Sequence, residues 1–309
     1  MRPLRIVFMG TPDFSAKVLE RLAEEHEVLA AVTGPDKPVG RGHALRPSPL
    51  KVAAERLGIL VMQFEKVSRE GLDAVRALSP DLGVTAAFGQ ILSESFLSLF
   101  PEGVINVHAS LLPKYRGASP IQWAVLDGEK ETGVTVMRTV KEVDAGDILL
   151  QRSIKIGEKE TAGELFDRLA SLGGDALVEA VGLIESGKAV YTPQDASKAT
   201  HCGMIRKEDG RMDFARTASE LDRFVRGMTP WPSAWTVIDG KRVKVLDTEP
   251  AAASGETGRV LRASAKEGLV VGCADGGVRL TRIQPEGRPA MSDTAWLAGH
   301  GIEIGTVLE

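Results

Sequence analysis

The run Asn106-Val107-His108-Ala109-Ser110-Leu111-Leu112-Pro113 closes an apolar segment, Gly103 to Leu112, that has the length and pattern of a buried strand. Side chains alternate faces along a strand, so Asn106 and His108, two residues apart, point the same way. A proline-containing turn then ends the strand. An amide donor and a titratable ring thus project together from one strand end. Asp144, further along the chain, is a carboxylate that can fold in to orient the ring. Donor, ring and carboxylate suit acyl chemistry, where an oxygen gains charge and a proton must move. On residue types alone two plainer readings stay open. Asn106 and His108 also fit a pair of satisfied polar residues, and Asp144-Ala145-Gly146-Asp147 is also good turn chemistry.

Outward from this strand, the first half alternates strand and helix patterns. Leu4 to Met9, Val28 to Thr33, Ile59 to Gln63, Asp81 to Ala87 and Gly103 to His108 read as strands. Helical segments lie between several of them. That rhythm predicts an α/β domain with a mostly parallel sheet covered by helices. The strands near Val134 to Arg138 and Ile148 to Ile154 follow too closely for crossovers and predict a mixed edge. In open parallel sheets, ligands bind beyond the carboxyl ends of the strands. Gly10-Thr11-Pro12, Ala86-Ala87-Phe88-Gly89 and the Asn106–His108 end all fall on that rim.

Thr161 to Ser186 carries apolar residues at helical spacing and stops at Gly187. The chain then turns polar and rich in Pro, Ser and Thr, which predicts a linker over 189–205 between domains at 1–188 and 206–309. The last part holds a short helix near Ser219 to Gly227. Five β-rich runs follow, with hairpin signals at Asp239-Gly240 and Gly276-Gly277. Five short strands with tight turns predict a small OB-like β-barrel. Trp231 and Trp235 are expected in its core.

The chain has 309 residues, 43% of them hydrophobic and 26% charged, the profile of an ordinary soluble protein of two domains. No apolar stretch approaches 20 residues, so no transmembrane helix is expected, and the first residues lack the core of a signal peptide. Cys202 and Cys273 stand far apart without metal-ligand company, so two reduced thiols in a cytoplasmic protein, and no metal, are expected. The loop from Gly34 to Pro49 is long for an α/β connection and carries Lys37, Arg41, His43 and Arg46, with glycines on both sides of Arg41. It fits either a solvated insert or a flexible basic clamp for a phosphate backbone.

Ser110-Leu111-Leu112-Pro113-Lys114-Tyr115-Arg116-Gly117-Ala118-Ser119-Pro120-Ile121-Gln122-Trp123-Ala124 closely resembles the signature of folate-dependent formyltransferases. So do Thr132-Gly133-Val134-Thr135-Val136-Met137 and the run from Val143-Asp144-Ala145-Gly146-Asp147 to Leu149. The resemblance spans nearly the whole chain. It implies a Rossmann-like formyltransferase domain and an OB-like tail. It also implies a catalytic triad of Asn106, His108 and Asp144, with 10-formyltetrahydrofolate as co-substrate. The turn Ser110, Leu111, Leu112, Pro113 would line the folate pocket, flanked by Phe88 and Gly89. The insert at 34–49 is similar to the one that members acting on methionyl-tRNA carry and that single-domain members acting on glycinamide ribonucleotide lack. Lys37, Arg41 and Arg46 are then the expected tRNA contacts. This chain departs from the usual insert at Gly34 and at His43, where a lysine is common. The resemblance thus implies formylation of the initiator methionyl-tRNA for translation initiation, by a monomer. With a net charge of -4 the chain is not basic overall, so any RNA contact must come from local patches.

Overall fold

The computed structural model describes residues 3–39 and 44–308. The chain forms two compact units. The first comprises Met1–Pro120, Glu131–Lys155 and Phe166–Cys202, and the second Ile121–Lys130, Ile156–Leu165 and Gly203–Glu309.

In the first unit, β1 (Ile6–Gly10), β2 (Val28–Thr33), β5 (Leu60–Gln63), β6 (Leu82–Ala86) and β7 (Val104–His108) run parallel. Between β2 and β5 stand the short strands β3 (Lys37–Val39) and β4 (Ala44–Arg46). β8 (Arg116–Gly117) follows the end of β7, and then come β9 (Glu131–Arg138) and β10 (Ile148–Lys155). The sheet order is β10-β9-β7-β6-β1-β2-β5, with β9 antiparallel to both its neighbours. The mixed edge expected from the sequence is therefore present. Every residue of β1 and β6 is buried, as parallel strands covered on both faces require. Val7, Met9, Val32, Phe96, Phe100 and Val104 form one apolar cluster on this sheet. The amphipathic segment is a helix over Ala162–Glu185, which buries Leu165, Leu169, Leu177, Val181 and Ile184.

Residues 189–202, expected as linker, are folded into the first unit. Thr192 bridges Ile148, and β11 (His201–Cys202) pairs in parallel with β8. Three residues of strand pairing are too short a signal to stand out in a polar, proline-containing stretch. The loop expected at 34–49 is a hairpin in its described residues, because Lys37–Val39 pairs antiparallel with Ala44–Arg46.

The second unit carries β12 (Ala234–Ile238), β13 (Lys241–Ala251), β14 (Val260–Ser264), β15 (Gly268–Cys273), β16 (Gly276–Pro285) and β17 (Met291–Ser292). They form an antiparallel sheet in the order β12-β13-β16-β15-β14, with β17 on β16. Register shifts in β13 bend the sheet. A helix at Ala218–Met228 starts with a capping box between Thr217 and Glu220 and buries Leu221, Phe224, Val225 and Met228. The tryptophans differ from expectation. Trp231 is 51% exposed. Trp235 lies half-buried on the outer face of β12, with the Arg242 guanidinium 3.8 Å above its ring. Alternation along β12 sends Ala234, Thr236 and Ile238 inward, so Trp235 has to face out.

Candidate active site

Strands β1, β6 and β7 are in parallel register, so Gly10, Ala86 and His108 reach one rim of the sheet. Thr85 stands beside Asn106, and its hydroxyl donates to Asn106 Oδ1 at 2.8 Å. That bond orients the amide. Its Nδ2 group takes no partner among the described residues and keeps its donor capacity. His108 is 7% exposed. Its Nε2 lies 2.8 Å from the Tyr115 carbonyl, and its Nδ1 lies 3.6 Å from Asp144 Oδ1. A carbonyl has no proton to give, so the neutral ring carries its hydrogen on Nε2. Only a protonated ring donates on both sides.

Asp144 sits at φ 52°, in the left-handed region that Asp tolerates better than most residues. Its Oδ2 accepts from the Gly117 N–H at 2.9 Å. The structure thus brings His108 and Asp144 together and places Asn106 on the same strand face, two residues from His108. No hydrogen bond joins Asn106 to either among the described residues. Gly146 explains why the loop needs glycine two residues on, since a Cβ there would stand 1.8 Å from the Arg138 carbonyl oxygen. Gly146→Ala must therefore push the Asp144 loop outward. We expect a stability loss of about 1–3 kcal/mol in denaturant unfolding, together with a fall in turnover. A variant as stable and as active as the parent would contradict that steric reading.

The Ser110–Pro113 turn is held from below. Thr135, opposite His108 on β9, donates to the Ser110 carbonyl at 2.7 Å and accepts from the Leu112 N–H at 3.1 Å. Gln151 Nε2 donates to the Leu112 carbonyl at 2.9 Å. Ser110 Oγ donates to the Lys114 carbonyl at 2.7 Å. Ser110 and Leu112 are buried and both backbone groups of Leu112 are taken, while Leu111 and Pro113 keep accessible surface. Across the rim, Phe88 is buried. Gly89, at φ 73°, has nothing within 4 Å of where a Cβ would stand. Gln90 fastens this turn by donating to the Phe64 carbonyl at 3.0 Å and accepting from the Val67 N–H at 2.9 Å.

In the hairpin, Lys37 and Arg46 are exposed and directly opposite each other. Like charges facing across a strand pair are unfavourable, which is understandable if they serve a partner rather than the fold. Arg41 lies outside the described residues. The hairpin root is anchored, with Lys51 Nζ 2.9 Å from Asp36 Oδ2 and 3.1 Å from Gln63 Oε1. Gln63 Nε2 donates to Asp36 Oδ1 at 2.7 Å and to the Gly34 carbonyl at 3.0 Å. The hydrogen bond from Lys51, then that from Gln63, holds the Asp36 carboxyl below its ordinary range.

Thr85, Arg116, Thr135, Gln151 and Gln194 all support this rim, and although Arg116 and Thr135 stand in the signature runs, none of these supporting contacts was legible in the sequence. Each is an ordinary polar residue whose partner is distant in the chain. Among the described residues no group of three or more His, Cys, Asp or Glu could hold a metal, and no helix is long and apolar enough to cross a membrane. Both cysteines are buried, and neither is in a disulfide.

Residues 4–181 match the family described as formyl transferase, and 204–301 match the formyl transferase C-terminal domain. The chain is 45% identical over 310 residues to the methionyl-tRNA formyltransferase of Geobacter sulfurreducens, covering 100% of this chain and 98% of that protein. It is 48% identical over 296 residues to the methionyl-tRNA formyltransferase of Macrococcus caseolyticus, covering 96% and 95%. Among solved structures, it resembles an N-formyltransferase from Helicobacter canadensis in complex with folinic acid and dTDP-3-aminofucose. The TM-score is 0.68 at 19% identity, over 89% of this chain and 98% of that one. HypX from Aquifex aeolicus, in complex with tetrahydrofolic acid, superposes with a TM-score of 0.65 at 19% identity, over 99% of this chain and 51% of that one. These two likenesses concern the fold. The chain belongs to the formyl transferase family and, by its full-length relatives, to the methionyl-tRNA formyltransferases within it.

Proposed function

We propose that this protein transfers the formyl group of 10-formyltetrahydrofolate to the α-amine of methionyl-tRNA, the step that prepares the initiator for translation. The observation that carries the reading is the Asn106 amide. Thr85 fixes its oxygen, and its N–H, on the strand face it shares with His108 of the His108–Asp144 pair, has no partner among the described residues.

When bound, 10-formyltetrahydrofolate supplies the one-carbon unit already at the formyl level. The rim fits such a ligand: open space at Gly89, and accessible Leu111 and Pro113 backed by buried Phe88, Ser110 and Leu112. Asn106 Nδ2–H donates to the acyl oxygen as charge gathers there. His108 takes up or releases a proton at Nδ1 while Nε2–H stays on the Tyr115 carbonyl. The Asp144 carboxylate, 3.6 Å away, faces Nδ1 and orients the ring, and the Gly117 N–H keeps that carboxylate aimed. No covalent bond to the protein is required.

Lys37 and Arg46 on the hairpin, together with Arg41, would hold the phosphate backbone of the acceptor stem, with the 206–309 domain as a further RNA-binding body. A cytoplasmic monomer suits this role. Two buried thiols agree with a reducing compartment.

The test supplies the purified protein with labelled formyl-folate and offers methionyl-tRNA or an amino sugar nucleotide. Label on methionyl-tRNA is expected. Label on the sugar nucleotide alone would overturn the proposal.

A further inference from the structure

The segment 192–202 does more than connect. Gln194 Nε2 donates to two carbonyls of the Asp144 loop, Asp144 O at 2.9 Å and Gly146 O at 2.8 Å. Its Oε1 accepts from Arg116 Nε at 3.1 Å and Nη2 at 2.8 Å. The Arg116 side chain is 7% exposed, and its Nη1 lies 3.6 Å from Glu142 Oε1 at the start of the same loop. One amide and one guanidinium thus hold residues 142–146.

β8 joins this to the ring. Its neighbour Tyr115 gives the carbonyl that faces His108 Nε2, Arg116 gives the guanidinium on Gln194, and Gly117 gives the N–H on Asp144. Three consecutive residues therefore set the ring, the amide and the carboxylate together. β8 is in turn paired with β11, eight residues after Gln194 at Cys202. Nothing else among the described residues bonds the Asp144 and Gly146 carbonyls, so these two bonds hold the backbone of Asp144 at its positive φ.

We infer that Gln194, braced by Arg116, is a positioning residue that fixes the Asp144 carboxylate against His108, so that the strap 192–202 is part of the active-site architecture. This rests on the role proposed above for Asp144. A planar amide suits the task because its two N–H donors diverge onto two carbonyls while its oxygen receives the arginine fork. Methionine has similar length but neither donor.

Gln194→Met and Asp144→Asn, singly and together, test it. With methionyl-tRNA as acceptor, Gln194→Met is expected to lower kcat about tenfold or more, the scale of a carboxylate misplaced by a fraction of an ångström. KM for both substrates should stay near that of the parent. In the Asp144→Asn background, Gln194→Met should add little, because its effect runs through a carboxylate already removed. Parental kcat in folded Gln194→Met, or the same factor lost again in the double variant, would overturn the inference. Parental kcat in Asp144→Asn would instead remove the role of Asp144, and this inference with it. Should Gln194→Met melt below the assay temperature, Arg116→Lys decides by the same criteria, since it loses the fork on Gln194 but keeps the aliphatic stem.

Discussion

Asn106→Ala, His108→Ala and Asp144→Asn are each expected to lower kcat at least about a hundredfold, close to 2.7 kcal/mol of transition-state stabilisation. The fold should survive all three, and the structure says why. Without Asn106, the Thr85 hydroxyl still has the Ile105 carbonyl at 3.3 Å. Without His108, the Tyr115 carbonyl still faces Cys202 Sγ at 3.4 Å. Asparagine at 144 keeps an oxygen for the Gly117 N–H and loses only the charge. Alanine there would strand that N–H at a cost of about 1–3 kcal/mol, which would mix stability with chemistry. Steady-state rates, with circular dichroism as the control, make the measurement. Near-parental turnover in any one variant removes the role given to that residue.

Replacing Lys37, Arg41 and Arg46 together by alanine should raise KM for methionyl-tRNA by at least about a hundredfold and leave folate binding intact. Each contact to phosphate releases a counterion, so the slope of log affinity against log salt should become shallower by about one unit per residue, roughly three in all. Lys37 and Arg46 oppose each other on a hairpin whose root is clamped by Asp36, Lys51 and Gln63, so the loss is of charge rather than of the hairpin. Indeed, removing two facing like charges should leave the pair no less stable. Equal use of methionyl-tRNA by the triple variant at every salt concentration would mean that the hairpin is a bland insert. The proposal for the acceptor would then need another RNA-binding surface.

What local pattern decides was legible in the residues. Alternation along one strand puts Asn106 and His108 on one face whatever surrounds them. Continuous apolar runs separated by helical periods mark the parallel sheet and its rim, and short strands with tight turns mark the antiparallel second unit. There Asp239-Gly240 is the turn expected, whereas the second hairpin turns at Ala274-Asp275 and takes Gly276 and Gly277 into β16. Asp144 was legible only through its likeness to a known signature, because a carboxylate in a turn looks the same with or without a histidine beside it.

The supports of the site were decided by the tertiary fold alone. Thr85 meets Asn106 across 21 residues, Thr135 meets Ser110 across 25, and Gln194 meets Asp144 across 50. No periodicity relates such pairs, since each exists only once strand order and register bring the two segments together. The same holds for 189–202. Its polar composition matches a linker, yet two short pairings bind it to the first unit. Trp231 and Trp235 make the converse point. Their size argues for a core, but strand register and the turn before β12 place them outside it. Side-chain pattern determines which face of an element is apolar, whereas which polar groups meet across that face depends on contacts distant in sequence.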